Sequence, residues 1–248
     1  MHLLIDIGNS SIFLGIEDNK KIIKSFRINS DVNKSADEYL LTMAPFLKKY
    51  TIEACLICSV VPILTSTIKK AIKTLFSFEP KIMGFGMKTN LNIKTDDPKA
   101  VGSDLIADSV AGLNHYDECL ILDLGTATKY LYVTNHSLVG VAIGPGVAVS
   151  TKAMISHAAL LPNIELVAPK KVLNTSTIPC MQSGIIYGFS SMIDGMIEKI
   201  KEELNKPDLP VIATGGLASL IIPQSKNQIE ILPDLILEGL ITIYYKNI

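Results

Sequence analysis

The sequence predicts an α/β protein built from two duplicated domains, each a mixed sheet flanked by helices. Three observations carry this. Apolar runs of strand length alternate with segments of helical period along the chain. Leu3-Leu4-Ile5-Asp6-Ile7-Gly8 returns as Leu120-Ile121-Leu122-Asp123-Leu124-Gly125, and the match continues with Phe13 over Tyr130, Leu14 over Leu131 and Ile16 over Val133. The two copies lie much too far apart for a solenoid, so each opens a domain of its own. No linker rich in Pro, Gly or Ser separates them. The boundary is therefore short, near Asn114–Glu118, giving domains of residues 1–114 and 115–248.

The elements follow in order. Leu3–Ile7 and Ile12–Ile16 are strands joined by a tight Gly-Asn-Ser turn, and Lys21–Arg27 extends the hairpin. Ser35-Ala36-Asp37-Glu38 has capping-box spacing and precedes Leu40, Met43 and Leu47 on one helical face, although Pro45 counts against an unbroken helix. Ala54–Val60 reads as a strand and Leu64–Phe76 as a helix. Residues 84–99, with Gly84, Gly86, Asp96, Asp97 and Pro98, read as loop. A helix starts near Gly102 and runs to about Leu113. The order then restarts: strand Leu120–Leu124, turn Gly125-Thr126 and strand Lys129–Val133. Helices are expected over Ser150–Ala159 and from near Pro179 to about Leu204. Strand Val211–Ala213 ends in Thr214-Gly215-Gly216, and Leu235–Tyr244 is helical.

Composition narrows the function. Of 248 residues, 48% are apolar and 19% charged, enough for buried cores. A formal net charge of −1 without a basic stripe argues against nucleic acid as a partner. Mean hydropathy is positive, yet no apolar run reaches the ~20 residues of a membrane helix. The start, Met1 to Asp6, has no basic n-region, so a soluble cytoplasmic protein is expected. Cys55 and Cys58 lie three apart on an expected strand and so face opposite sides, as small buried hydrophobes rather than a metal or redox pair. His115 and His157 have no ligand-spaced companions. Ile185, Phe189, Met192 and Met196 form a core stripe on the long helix. Gly184, Gly188 and Gly195 let that helix approach another, within the chain or across a dimer interface.

The repeated Asp-x-Gly turns carry the chemistry. A turn of Gly, Ser, Thr and Asn presents backbone N–H groups and hydroxyls to anionic oxygens, and glycine lets a phosphate come close. The aspartate that ends each strand can hold a cation against that phosphate. Either turn alone is commonly just a hairpin. Two at matched positions in duplicated halves, facing each other, could clamp a triphosphate. An apolar strand ending in Thr214-Gly215-Gly216 before a helix also lets a flat ligand or phosphate reach the backbone.

Asp6-x-Gly8-Asn9-Ser10, Gly125-Thr126-Ala127-Thr128 and Ala213-Thr214-Gly215-Gly216 resemble the phosphate and adenosine motifs of the actin/hexokinase-like ATPase superfamily. Over its whole length the chain resembles type III pantothenate kinases. The resemblance rests on "SADEYL" (35–40), "CSVVPILT" (58–65), "DPKAVGSD" (97–104), "DLGTAT" (123–128), "GVAIGPGV" (140–147), "LPNIEL" (161–166), "MQSGIIYGF" (181–189), "IATGGLASLI" (212–221) and "LILEGL" (235–240). It implies two actin-like (ribonuclease H-like) domains with a nucleotide cleft between them, and ATP-dependent phosphorylation of pantothenate, the first step toward coenzyme A. It further implies that Asp6, Ile7, Gly8, Asn9, Ser10, Ser11, Ile12 and Phe13 cradle the ATP phosphates, with Asp6 near Mg²⁺. Thr126, Gly215 and Gly216 would meet the nucleotide, and Asp123 would hold a monovalent cation, potassium or ammonium. Asp104 would be the general base, and Thr95, Gly102, Ser103, Leu105 and Thr177 would line the substrate site. A helix N-terminus favours the charged form of a carboxylate placed like Asp104. The resemblance also implies a homodimer whose partner subunit helps enclose pantothenate.

Departures from the family pattern cluster in the substrate pocket. Leu105 stands where the family has arginine, Thr95 where it has tyrosine, and Asp108 where it has asparagine. Lys129 and Leu131 replace a threonine and an aspartate. Losing one charge-assisted contact to a carboxylate costs about 1.5–3 kcal/mol. Three readings follow: a working pantothenate kinase compensated elsewhere, for instance by Lys129; a kinase for a related small alcohol; or a degenerate member that binds nucleotide as partner or regulator, in a heterodimer with an intact relative.

Overall fold

The computed structural model describes residues 1–84 and 86–248; residue 85, inside the stretch read as loop, lies outside the described residues. The chain runs β1 (His2–Ile7), β2 (Ser11–Asp18), β3 (Lys21–Asn29), α1 (Ala36–Leu47), β4 (Ala54–Ser59), α2 (Pro62–Phe76), β5 (Lys81–Ile82), β6 (Asn92–Ile93), a 3₁₀ turn at Pro98–Ala100 and α3 (Ser103–His115). It continues with β7 (Glu118–Leu124), β8 (Ala127–Thr134), β9 (Ser137–Pro145), α4 (Val147–His157), α5 (Thr177–Leu204), β10 (Val211–Thr214), α6 (Ala218–Ile221), a 3₁₀ turn at Ile222–Gln224, β11 (Glu230–Ile231) and α7 (Leu235–Tyr245). Among the described residues, no helix is long and apolar enough to cross a membrane.

Two compact units result. The first holds Met1–His115, His136–Val139 and Asp234–Ile248; the second holds Tyr116–Asn135 and Gly140–Pro233. The first sheet has the strand order β3-β2-β1-β4-β5, with β1 antiparallel to β2 and parallel to β4. Its central strand is apolar on both faces because both are covered. Leu3, Ile5 and Ile7 pack with Tyr39, Met43 and Leu47 of α1 and with Leu64, Ile68 and Ile72 of α2. Leu4 packs on the other side with Ala107 and Val110 of α3 and with Leu237 and Leu240 of α7. Each fully buried Leu, Ile or Met among them contributes roughly 1.5–3 kcal/mol by transfer from water. Cys55 and Cys58 fall into these two opposite cores, as the strand period requires.

The second sheet repeats the first. Its order β9-β8-β7-β10-β11 matches β3-β2-β1-β4-β5 strand for strand, with β7 antiparallel to β8 and parallel to β10. β6 pairs with Ser137 and Leu138, the head of β9 that belongs to the first unit. In the second unit Leu120, Leu122 and Leu124 pack against Ile186, Ile193 and Ile197 of α5 and Ala218 and Ile221 of α6. Ile185 joins this core, with Phe189 and Met196 at its edge; Met192 is only half-buried. A Cβ added at Gly184, Gly188 or Gly195 would meet nothing within 4 Å, so these glycines serve no close packing among the described residues.

Several local expectations shift. The capping box forms: the Ser35 N–H donates to Glu38 Oε2 at 2.8 Å and the Glu38 N–H to Ser35 Oγ at 3.3 Å. The Ser35 backbone bond first, then its hydroxyl, holds the Glu38 carboxyl below its usual pKa. The helix nonetheless runs through Pro45 to Leu47. The bond that proline cannot make would end on Leu41, which is 71% exposed, so water can serve the freed carbonyl. The buried face is Tyr39, Met43 and Leu47, with Leu40 only partly covered. The matched hairpins also differ by one residue. Four residues separate Ile7 from its partner Ile12, but three separate Leu124 from Thr128. Across the sheet, Phe13 stands opposite Asp6 and Lys129 opposite Asp123. By strand pairing, Lys129 is thus the counterpart of Phe13, not Tyr130.

Candidate active site

The first unit gathers its chemistry at the ends of β1 and β4. The turn after β1 closes with the Gly8 N–H donating to Ser11 O at 3.0 Å. β3 ties it down from the other side: Ser30 Oγ donates to Gly8 O at 2.6 Å and the Ser30 N–H to Ser10 O at 3.2 Å. Asn9 and Ser10 are left exposed. Ile7, Ile12 and Phe13 are buried in the cores, so any contribution they make to a phosphate is through the backbone. Strand pairing sets Cys58, Asp6, Phe13 and Arg27 in one row across β4, β1, β2 and β3. The Arg27 guanidinium lies 3.5 Å from the centre of the Phe13 ring. Arg27 is a cation in the row of Asp6 that the sequence reading missed. Only the pairing of β3 on β2 brings it there.

α3 delivers Asp104 to the same place. The Cys58 thiol donates to Ser103 Oγ at 3.2 Å, and Ser103 Oγ donates to Ser59 O at 3.0 Å. The helix start is thereby pinned to the end of β4. A Cβ built on Gly102 would sit 2.3 Å from Asp104 Oδ1, so the carboxylate curls back over the glycine. Burial pushes the Cys58 thiol well above its ordinary pKa, and the negative charges of Asp6, then Asp104 and Asp108, push the same way against the Ser103 hydrogen bond. Three carboxylates therefore lie within electrostatic reach of one buried, protonated thiol, which is no nucleophile. Leu105 is buried at 8% exposure. In the loop before α3, the hydroxyl of Thr95 is buried with no hydrogen-bond partner among the described residues.

The second unit builds a parallel cluster. The Gly125 N–H donates to Ala127 O at 3.1 Å, and Thr128 Oγ1 to Pro145 O at 3.0 Å. Thr126 is exposed at the turn. β10 lays Thr214 beside Asp123. Gly215 follows with φ +96°, and a Cβ there would lie 2.6 Å from the Leu124 backbone. Its glycine is demanded by that turn-on-turn contact and by the left-handed backbone. A Cβ on Gly216 would meet nothing within 4 Å. Thr177 is exposed at the first position of α5.

The two expected cations fare differently. Among the described residues no group of three or more metal-type ligands forms a cage. That suits Mg²⁺ held by one carboxylate plus the oxygens of a phosphate chain, and Asp6 beside the 8–11 turn fits such a role. Asp123 does not fit a bound potassium or ammonium ion in the same way. Lys129 Nζ sits 2.7 Å from Asp123 Oδ2, with the side chains 18% and 14% exposed. An ammonium group of the chain itself is already on that carboxylate.

Comparison with known proteins places this arrangement. Residues 2–199 match the family model described as type III pantothenate kinase. A protein of Acholeplasma laidlawii named type III pantothenate kinase is 42% identical over 248 residues, covering 100% of both chains. One of Geotalea uraniireducens with the same name is 39% identical, covering 100% of this chain and 99% of the relative. Among solved structures, component A of the (R)-2-hydroxyglutaryl-CoA dehydratase of Acidaminococcus fermentans superposes with a TM-score of 0.56 at 13% identity, over 98% of this chain and 96% of the other. That likeness concerns the fold, which is the actin-like ATPase fold the sequence predicts. With its family model, full-length relatives and fold in agreement, the chain belongs to the type III pantothenate kinase family.

Proposed function

We propose that this chain transfers the terminal phosphoryl group of ATP to the hydroxyl of pantothenate, the first step of coenzyme A synthesis. One observation supports it above others: Asp104, curled over Gly102 at the start of α3, is pinned through Ser103 to the strand beside Asp6. A base for an alcohol and a carboxylate for a phosphate-bound cation are thus held on rigid neighbours. Phosphoryl transfer asks for little more than positioning and charge neutralisation.

The turn after β1, with Asn9 and Ser10 exposed, receives the phosphate oxygens, and Asp6 would hold the Mg²⁺ that neutralises their charge. Thr126, Gly215 and Gly216 face the nucleotide. Asp104 orients the substrate hydroxyl and accepts its proton as the new P–O bond forms. The open hydroxyl of Thr95, with Gly102, Ser103, Leu105 and Thr177, lines the pantothenate site. The enzyme works in the cytoplasm as a homodimer, with neither nucleic acid nor membrane as partner. Full-length relatives named as kinases favour an active enzyme over a nucleotide-binding partner of an intact relative.

The test is ADP release with pantothenate, ATP and Mg²⁺ together. The expected outcome is pantothenate-dependent turnover that Asp104→Asn lowers at least about a hundredfold while ATP binding persists. Wild-type protein that releases no ADP on adding pantothenate at millimolar ATP overturns the proposal. A large gain in Leu105→Arg would instead mark the natural chain as an impaired member.

A further inference from the structure

We propose that the Lys129 ammonium is a built-in monovalent cation at Asp123, so that the nucleotide site of this chain functions without added potassium or ammonium. The inference rests on the kinase reading above and deepens it. Its basis is the register of one hairpin. β7 and β8 place Lys129 directly opposite Asp123, and the two side chains meet at 2.7 Å with little exposure. In the matched hairpin of the first unit, the residue opposite Asp6 is the apolar Phe13. The turn that is one residue shorter brings a lysine to that position, onto the carboxylate that lies against Gly125.

The chemistry of the two candidate occupants is the same. An ammonium on a side chain and a free potassium or ammonium ion each bring one positive charge to a carboxylate oxygen. A free ion must be recruited from solution and ordered; the lysine is carried by the adjacent strand. Both cannot sit on Asp123 at short range without repelling each other in a partly desolvated place. Leu131, two residues on and on the same side of β8, is fully buried and apolar. It adds no second carboxylate that would call for a further cation. Lys129 thus acts as a positioning residue: it neutralises Asp123 and holds the end of β7, from which the Gly125-Thr126 turn departs.

The experiment compares wild type, Lys129→Ala and Lys129→Met, the last keeping most of the aliphatic stem should the alanine variant fold poorly. ADP release is measured in tetramethylammonium chloride, and in potassium or ammonium chloride at equal ionic strength. Wild type is expected to change less than twofold between salts. The variants are expected to lose at least tenfold in tetramethylammonium and to regain most of it with ammonium or potassium. A second readout needs no turnover: thermal unfolding of the ATP·Mg²⁺-bound protein against the same salts. Potassium should raise the midpoint of the variants, in a saturable way, and not that of wild type. Wild type that depends on potassium, or shows a saturable potassium-specific thermal shift, overturns the inference. If wild type turns over in no salt, the kinase reading fails, and the thermal titration still decides the cation question.

Discussion

Asp104 owes its position to the side chain that its neighbour lacks. Gly102→Ala would put a methyl 2.3 Å from Asp104 Oδ1 and push the carboxylate from its place over residue 102, while touching little else. A displacement of about 1 Å costs on the order of a hundredfold in rate. Gly102→Ala should therefore lower kcat by that order with the melting temperature nearly unchanged; equal kcat would show that the carboxylate can move freely. Asp194 is a residue of the opposite kind, with a structural role. It accepts hydrogen bonds from Ser225 Oγ, the Lys226 N–H and Asn227 Nδ2, and is 6% exposed. Burial raises its pKa, but those bonds together outweigh burial and leave it below the ordinary value. A depressed carboxylate stabilises fully above its unfolded pKa and loses that contribution as pH falls through the folded one. Asp194→Ala should cost about 2–4 kcal/mol at neutral pH. The gap in melting temperature should narrow from about pH 4 downward. A gap as wide at pH 3 as at pH 7 would refute the role.

Among the elements, α3 carries the proposed base, Asp104, and α7 holds α3. A Cβ on Gly239 of α7 would lie 2.0 Å from Ala107 O, so the two helices touch backbone to backbone. Gly239→Leu should force them apart at a cost of about 2–3 kcal/mol and reduce turnover together with stability. An unchanged urea midpoint would show that the contact yields at no cost. The hairpins were legible in the sequence because each is short, apolar and closed by turn residues. β9 was not, since Gly140 and Gly144 interrupt its apolar pattern and Ile143 is 68% exposed. Pro45 misled at α1 because its missing bond falls at Leu41, which is exposed to solvent.

For the molecule as a whole, the proposed homodimer has a candidate face in Gly184, Gly188 and Gly195 of α5, which the described chain leaves open. Light scattering should give about twice the 26.9 kDa chain mass, and Gly188→Glu should halve it. A monomeric wild type at tens of micromolar would exclude that face. The sequence alone determined the two acidic strand ends, their glycine turns, the duplication and the family, because all of these are written in contiguous residues. Tertiary structure alone decided that Arg27 joins the row of Asp6, that Lys129 stands on Asp123, and that Leu235–Tyr245 packs with the first unit. The physical reason is register. One residue fewer in a turn changes which side chains face each other across a sheet, and that length is set by how both strands bury their faces together.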